Sequence, residues 1–141
     1  MEFLKAYIDY IIFATLGIMA FVACWCVIER VLFLRRVDFN NYSNQTELDN
    51  ALSYNLTTLY IIYSNAPYVG LLGTVIGIMI SFYDMSISAT IDVKSVVLGL
   101  SLALKATALG LLVAIPSLIA YNYLLRGVNL ISSKYQNRIE S

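Results

Sequence analysis

The segment that decides the fold is an apolar run at residues 66–81, which reads Ala-Pro-Tyr-Val-Gly-Leu-Leu-Gly-Thr-Val-Ile-Gly-Ile-Met-Ile-Ser. Its small residues recur at steps of three and four, and on an α-helix this spacing forms one narrow stripe. Glycine inside a helix costs about 1 kcal/mol relative to alanine, so a close contact on that face has to offset the cost. Small stripes let helix backbones approach closely in lipid. The stripe consists of Gly70, Gly73, Thr74, Gly77 and Ser81.

The composition of the whole chain agrees with a membrane location. Of its 141 residues 60% are hydrophobic and 13% charged, whereas a soluble domain is about one quarter charged. Three runs carry at most one charge, and each has about the 20 residues needed to cross a bilayer or more. These runs are residues 10–28, 50–83 and 95–125. The sequence therefore predicts an all-α membrane protein with three transmembrane helices and cytoplasmic helical extensions, forming a single membrane domain over 1–141.

Caps, prolines and charges set the predicted boundaries. Asn44 is a predicted N-cap with Glu47 completing a capping box, and one apolar stripe follows it at Leu48, Leu52, Leu56, Leu59 and Tyr63. Pro67 lacks a backbone donor and predicts a kink or a fresh helix start, and Pro116 predicts a second kink. The predicted segments are a first transmembrane helix with its cytoplasmic extension at 7–33, a cytoplasmic amphipathic helix at 44–65, transmembrane helices at 67–83 and 95–125, and a cytoplasmic tail at 126–141.

Basic residues predict the orientation. Three arginines follow the first span and three basic residues follow the third, so the positive-inside rule puts both of these ends in the cytoplasm. The N-terminus and the loop at 84–94 are then outside, and the C-terminus is cytoplasmic. The Glu29–Arg30 pair is expected to be a solvated helix end. The basic residues are Arg30, Arg35, Arg36, Arg126, Lys134 and Arg138.

Several functional classes lack the residues they need. The chain has no histidine, which removes the commonest general base and metal ligand. No nucleophile, base and orienting acid can be assembled, so we predict no enzyme, no metal and no cofactor. Cys24 and Cys26 are expected to be buried apolar thiols rather than a disulfide. A net charge of zero argues against a nucleic-acid partner, which needs a basic face.

The third span has its own small stripe, which predicts close packing against the second span. The polar residues at bilayer depth are the candidate functional groups. Thr74 and Thr107 either bond their own helix carbonyls or serve a polar pathway. Lys105, an ionisable group inside an apolar run, either extends toward the membrane surface or contacts a pore or a partner. The second stripe consists of Gly99, Ala103, Ala106, Gly110, Ala114 and Ser117.

Two motifs carry a family resemblance. They are residues 66–79 and, downstream, residues 106–111 (Ala-Thr-Ala-Leu-Gly-Leu) with Ala114-Ile115-Pro116-Ser117 and Tyr121-Asn122. The chain resembles the ExbB/TolQ/MotA family of proton-channel proteins, and its ExbB branch in particular. The resemblance implies a homopentamer in the bacterial inner membrane, energised by proton motive force, with an ExbD-like single-span partner in a central pore and a TonB-like protein as recipient of the work. It also implies that Thr74 and Thr107 face the pore and that the glycines are subunit contacts.

One position departs from the family pattern. ExbB and TolQ members usually carry a glutamate where this chain has Leu102, and Lys105 follows three residues later. The expectation is therefore either a proton relay that depends on the partner's aspartate alone, or a Lys105 that acts as a counter-charge to it. A TolQ-like role in envelope constriction and a non-conducting membrane scaffold stay open as alternative functions.

Overall fold

The computed structural model describes residues 2–87 and 92–140, and these residues form four α-helices and one short 3-10 helix. The helices are α1 (Glu2–Arg36), α2 (Gln45–Leu52), α3 (Leu56–Ile87) and α4 (Val93–Glu140), and the 3-10 helix is Phe39–Asn41. Part of the loop predicted outside the membrane, residues 88–91, lies outside the described residues. The protein is all-helical.

Three of the helices are long and apolar enough to cross a membrane. These candidate spans are Ala6–Arg36, Leu56–Ile87 and Val93–Glu140. α3 and α4 pack against each other along most of the length of α3, and α1 lies against both of them. α4 is one uninterrupted helix, so the third predicted span and the predicted tail are parts of the same rod.

The predicted single helix at 44–65 is wrong, because the chain turns between α2 and α3. α2 ends at Leu52, and Asn55 adopts a positive φ of 70° before α3 begins at Leu56. Asparagine tolerates this left-handed conformation better than most residues. The predicted apolar stripe is nevertheless buried on both sides of the turn at Leu48, Leu52, Leu56 and Leu59.

The start of α2 follows the predicted cap with one change. The Asn44 side chain accepts a hydrogen bond from the Glu47 amide at 2.8 Å, which confirms the N-cap. The Glu47 carboxylate accepts hydrogen bonds from Ser43 rather than from Asn44. These hydrogen bonds hold the pKa of the Glu47 carboxyl below its usual value.

Both prolines lie inside helices. α3 passes Pro67 without ending, so a fresh helix start there is not observed, and α4 likewise contains Pro116. Just before Pro67, the Ser64 hydroxyl and the Asn65 amide donate to the carbonyls of Tyr60 and Ile61. These side chains add hydrogen bonds to the turn before the proline, whereas the carbonyl that loses its backbone donor at Pro67 is that of Tyr63.

Arg30 is buried, so the expectation of a solvated Glu29–Arg30 end is wrong. Its side chain is 2% exposed and donates to the carbonyls of Ala51 at 2.6 Å and Leu52 at 3.1 Å. The guanidinium also pairs with Glu29, whose carboxylate accepts from the Asn55 amide at 3.1 Å. The arginine thus caps the C-terminal end of α2, where a cation also meets the negative end of the helix dipole.

α2 is attached to α4 as well. The Gln45 amide and the Asp49 carboxylate both bind the Ser132 hydroxyl, each at 2.6 Å. Around this contact, a cluster of buried apolar residues joins α1, α2, α3 and α4. The far end of α4 is thereby fixed to the short helix that Arg30 caps.

Replacing Arg30 tests this anchor. Arg30→Met leaves the Ala51 and Leu52 carbonyls without their side-chain donor and the Glu29 carboxylate without its cation, and breaking a buried ion pair costs about 3 kcal/mol. We expect a lower Tm of the detergent-solubilised protein and faster amide hydrogen exchange in residues 45–52. Arg35→Met, at an exposed arginine of the same helix, is the matched control. Wild-type exchange in α2 of Arg30→Met would contradict the capping role.

Candidate functional site

The candidate site is the threonine pair, Thr74 of α3 and Thr107 of α4, whose hydroxyls are in direct hydrogen-bond contact. The Thr74 hydroxyl also donates to the Ala103 carbonyl at 2.9 Å, and the Gly70 carbonyl lies 3.4 Å from the Thr107 hydroxyl. The sequence alone left open whether these threonines bond only within their own helices. In the structure the Thr74 hydroxyl lies 3.3 Å from the Gly70 carbonyl of its own helix, and both threonines also bond between helices.

The two threonines differ in exposure. Thr74 is 8% exposed and buried between the helices, whereas Thr107 is half-buried, at the edge of the contact. A hydroxyl has one proton to donate and two lone pairs to accept with. With Thr74 donating to Ala103, Thr107 can donate to Thr74 while both of its own lone pairs stay available at the exposed edge. When it turns away from Thr74, Thr107 can donate its proton at that edge instead.

Close packing of the α3 and α4 backbones places the threonines together. A methyl group built on Gly70 would lie 2.6 Å from the Ala106 carbonyl oxygen, and one built on Gly110 would lie 2.7 Å from the Ala66 carbonyl oxygen. Neither position has room for a side chain. The two predicted stripes therefore meet each other inside one chain.

Toward the C-terminal end of α3, the glycines in the same contact lie closest to side chains rather than to backbone. Gly73 lies against the Ala106 methyl group and Ile12 of α1, and Gly77 lies against the Ala103 methyl group. Ala114 belongs to the buried cluster that includes Leu16 and Ala106. The expectation that the glycines are contacts between subunits is corrected for Gly70, Gly73, Gly77 and Gly110, whose close neighbours are residues of the same chain.

Lys105 is not part of the threonine pair. An ideal helix turns about 100° per residue, so Lys105 and Thr107 point about 200° apart around α4. Lys105 and Leu102 are both exposed. Arg30 and Glu29 form an ion pair. Among the described residues, no acidic group lies within 4.0 Å of the Lys105 ammonium group.

Beside α4, an apolar groove separates part of it from α1. This α1–α4 groove has a volume of about 400 Å³. Phe13, Gly17 and Ala20 line it from α1, and Leu109, Leu112 and Val113 line it from α4. Within the described residues no group of three histidine, cysteine, aspartate or glutamate side chains has the arrangement of a metal site.

The sequence reasoning missed the role of Arg30. Its charge next to Glu29 at the end of an apolar run indicated a solvated helix end. The signal that could have corrected this is the helix end at Leu52 followed by Ser53 and Asn55, because the last carbonyls of a helix need donors. The partner that supplies those donors is 21 and 22 residues away in sequence.

Fold and site together define an all-helical, multi-span membrane protein in which two paired hydroxyls join two glycine-packed helices. A family model described as the MotA/TolQ/ExbB proton channel family matches residues 39–137. The chain belongs to this family.

Individual relatives agree with the family match. The chain is 57% identical over 136 residues to the biopolymer transport protein ExbB of Helicobacter pylori, covering 96% of this chain and 94% of that protein. It is 48% identical over 128 residues to the ExbB of Aquifex aeolicus, covering 91% and 86%. It is also 39% identical over 100 residues to the Tol-Pal system protein TolQ of Haemophilus influenzae, covering 71% of this chain and 43% of that protein.

A methyl group at Gly70 tests the packing that forms the site. In Gly70→Ala the new methyl meets a backbone carbonyl, so the helices have to move apart, at a cost of about 1–3 kcal/mol. The gain in helix propensity, about 1 kcal/mol, offsets only part of this cost. We expect a lower Tm in detergent. Gly17→Ala is the matched control, because nothing lies within 4 Å of a methyl group built there. Equal Tm values for the two variants would contradict the close contact.

Proposed function

We propose that the chain is the proton-channel subunit of an inner-membrane motor that couples proton motive force to TonB-dependent transport across the outer membrane. The observation that carries the proposal is the interhelical threonine pair. Hydroxyls at bilayer depth are both donors and acceptors, so they can hydrogen-bond a carboxyl group in either protonation state, or a water molecule beside it.

The proposed working unit is a homopentamer in which α3 and α4 line a central pore. The half-buried edge of Thr107 then faces the pore, with Thr74 behind it. The exposed apolar side chains of α3 support assembly or lipid contact, because no residue of the same chain covers them. Among these side chains are Leu71, Leu72, Val75 and Met79.

An ExbD-like single-span helix is the proposed pore partner, and its aspartate carries the proton. Leu102 replaces the acid that family members usually carry, so this chain supplies hydroxyls rather than a carboxylate. The threonine pair would bind the partner's aspartate and release it as the proton moves on. A TonB-like protein would then receive the mechanical work.

The orientation belongs to the same proposal. The N-terminus is placed in the periplasm and the C-terminus in the cytoplasm of a bacterial cell, because basic residues occupy the last turns of both α1 and α4. The capped helix α2 and the far end of α4 then form a cytoplasmic unit. The membrane boundaries proposed for α3 and α4 are 67–83 and 95–125.

A TolQ-like role in envelope constriction is the second candidate, supported by the likeness to the Haemophilus influenzae protein. The ExbB reading is favoured because identity is higher and extends over nearly the whole of the Helicobacter pylori relative. Co-purification separates the two, since a TonB-system partner supports the first and a Tol-system partner the second.

Removing either hydroxyl tests the proton pathway. The complex with an ExbD-like partner is reconstituted in liposomes, and proton flux is measured with a pH-sensitive dye. Thr74→Val and Thr107→Val are expected to lower the flux about tenfold or more, because a hydrogen bond to a charged group is worth about 1.5–3 kcal/mol.

Thr74→Ser and Thr107→Ser retain the hydroxyl and serve as controls, with flux expected near that of the wild type. Assembly is followed in parallel by size-exclusion chromatography. If both valine variants assemble and conduct like the wild type, the channel proposal is overturned and the non-conducting scaffold is favoured.

A further inference from the structure

Lys105 is a charged residue for which the threonine pair provides no partner. It is exposed on α4, between the apolar neighbours Leu104 and Ala106. An ionisable side chain inside a membrane span is costly, and such residues pair with one another, with backbone carbonyls or with water. An acidic group at about the depth of Lys105 would lower this cost.

The direction of Lys105 excludes the threonine side of α4. The face of α4 that packs on α3 is formed by Ala103, Ala106 and Gly110, and Lys105 lies on the opposite side of the helix. Leu109 and Leu112, four and seven residues after Lys105, line the α1–α4 groove. On an α-helix such residues share a face. Lys105 therefore lies on the face of α4 that lines the groove, one turn before Leu109.

The register between α1 and α4 identifies the facing residue. Ile12 of α1 and Ala106 of α4 both lie next to Gly73. Further along both helices, Leu34 of α1 lies against Gly127 of α4, so α1 and α4 run in the same direction. Phe13 and Gly17 of α1 and Leu109 and Val113 of α4 line the same groove. Asp9 lies four residues before Phe13, and Lys105 lies four residues before Leu109, so each lies one helical turn beyond the lining of its own helix and on the same face.

Two other acidic residues whose side chains the structure describes on this side, Asp84 and Asp92, are too far along the helix axes. Asp84 is ten residues beyond Thr74, or about 15 Å, and Asp92 is thirteen residues before Lys105, or about 20 Å, at a rise of about 1.5 Å per residue. Asp92 also caps the start of α4 by accepting from the Ser95 hydroxyl at 2.8 Å. Asp9 is half-buried, and Lys105 is exposed on a long flexible stem.

We propose that Asp9 and Lys105 of one chain form a charge pair across the outer mouth of the α1–α4 groove. The structure has the two groups more than 4.0 Å apart, and a rotation of the Lys105 side chain toward α1 brings the ammonium group to the carboxylate. The pair holds the outer end of α1 against α4. Lys105 is then a positioning residue outside the proton pathway.

This inference deepens the proposed function and rests on it for one of two readouts. The first readout is the Tm of the solubilised protein. Asp9→Asn and Lys105→Met are each expected to lower Tm by about 3 °C or more, and the double variant to lower it no further than one single variant. The exchanged pair, Asp9→Lys with Lys105→Asp, is expected to restore Tm. Lys94→Met, at an exposed lysine of the same helix, is the matched control and keeps the wild-type Tm.

The second readout is proton flux per assembled complex in liposomes. Lys105→Met is expected to stay within twofold of the wild type, whereas a counter-charge to the partner's aspartate would lose most of the flux on this change. Additive Tm losses for Asp9→Asn and Lys105→Met, or a loss of flux in Lys105→Met at unchanged Tm, overturn the pair. Failure of the channel proposal is recognised separately, because it shows as wild-type flux in the threonine-to-valine variants.

Discussion

The close approach of the α3 and α4 backbones is the constraint on which the rest of the structure depends. At Gly70 and Gly110 each helix contacts the other's carbonyl oxygens directly, with no side chain between them. Only at this separation do the hydroxyls of Thr74 and Thr107 meet. Because lipid offers no hydrophobic drive for helices to associate, van der Waals contact and hydrogen bonds at such a surface hold the helices together. Structure and candidate function therefore depend on the same few residues.

The sequence predicted the helical class and the two contacting faces well, because membrane helices combine a composition signal with a spacing signal. The stripe at residues 70–81 and its counterpart at 99–117 are buried positions in the structure. Spacing cannot say which molecule a stripe meets, and this is why the glycines were expected between subunits although their close neighbours lie in the same chain. The threonines were recognised as candidates, but their mutual contact depends on the offset between helices.

The two errors around the short helix α2 have one cause. A stripe of leucines indicated one helix at 44–65, and a charged pair at a helix end indicated solvent. In the structure, the turn at Asn55 and the buried Arg30 belong to a single arrangement in which the arginine satisfies the carbonyls that the turn leaves free. Propensity and periodicity are local, whereas this arrangement joins residues more than twenty positions apart. It could not be read from either segment alone.

The continuity of α4 has a mechanical consequence. Thr107 and Ser132 lie on the same continuous helix, 25 residues apart, which corresponds to about 38 Å of helix with Pro116 between them. A tilt of about 5° at the threonine level would displace the other end by about 3 Å, as much as a hydrogen-bond length. Ser132 is bound to Gln45 and Asp49 of α2. A small angular movement at the threonine level would therefore be magnified into a displacement of the short helix α2 at the other end, as a lever magnifies movement near its pivot.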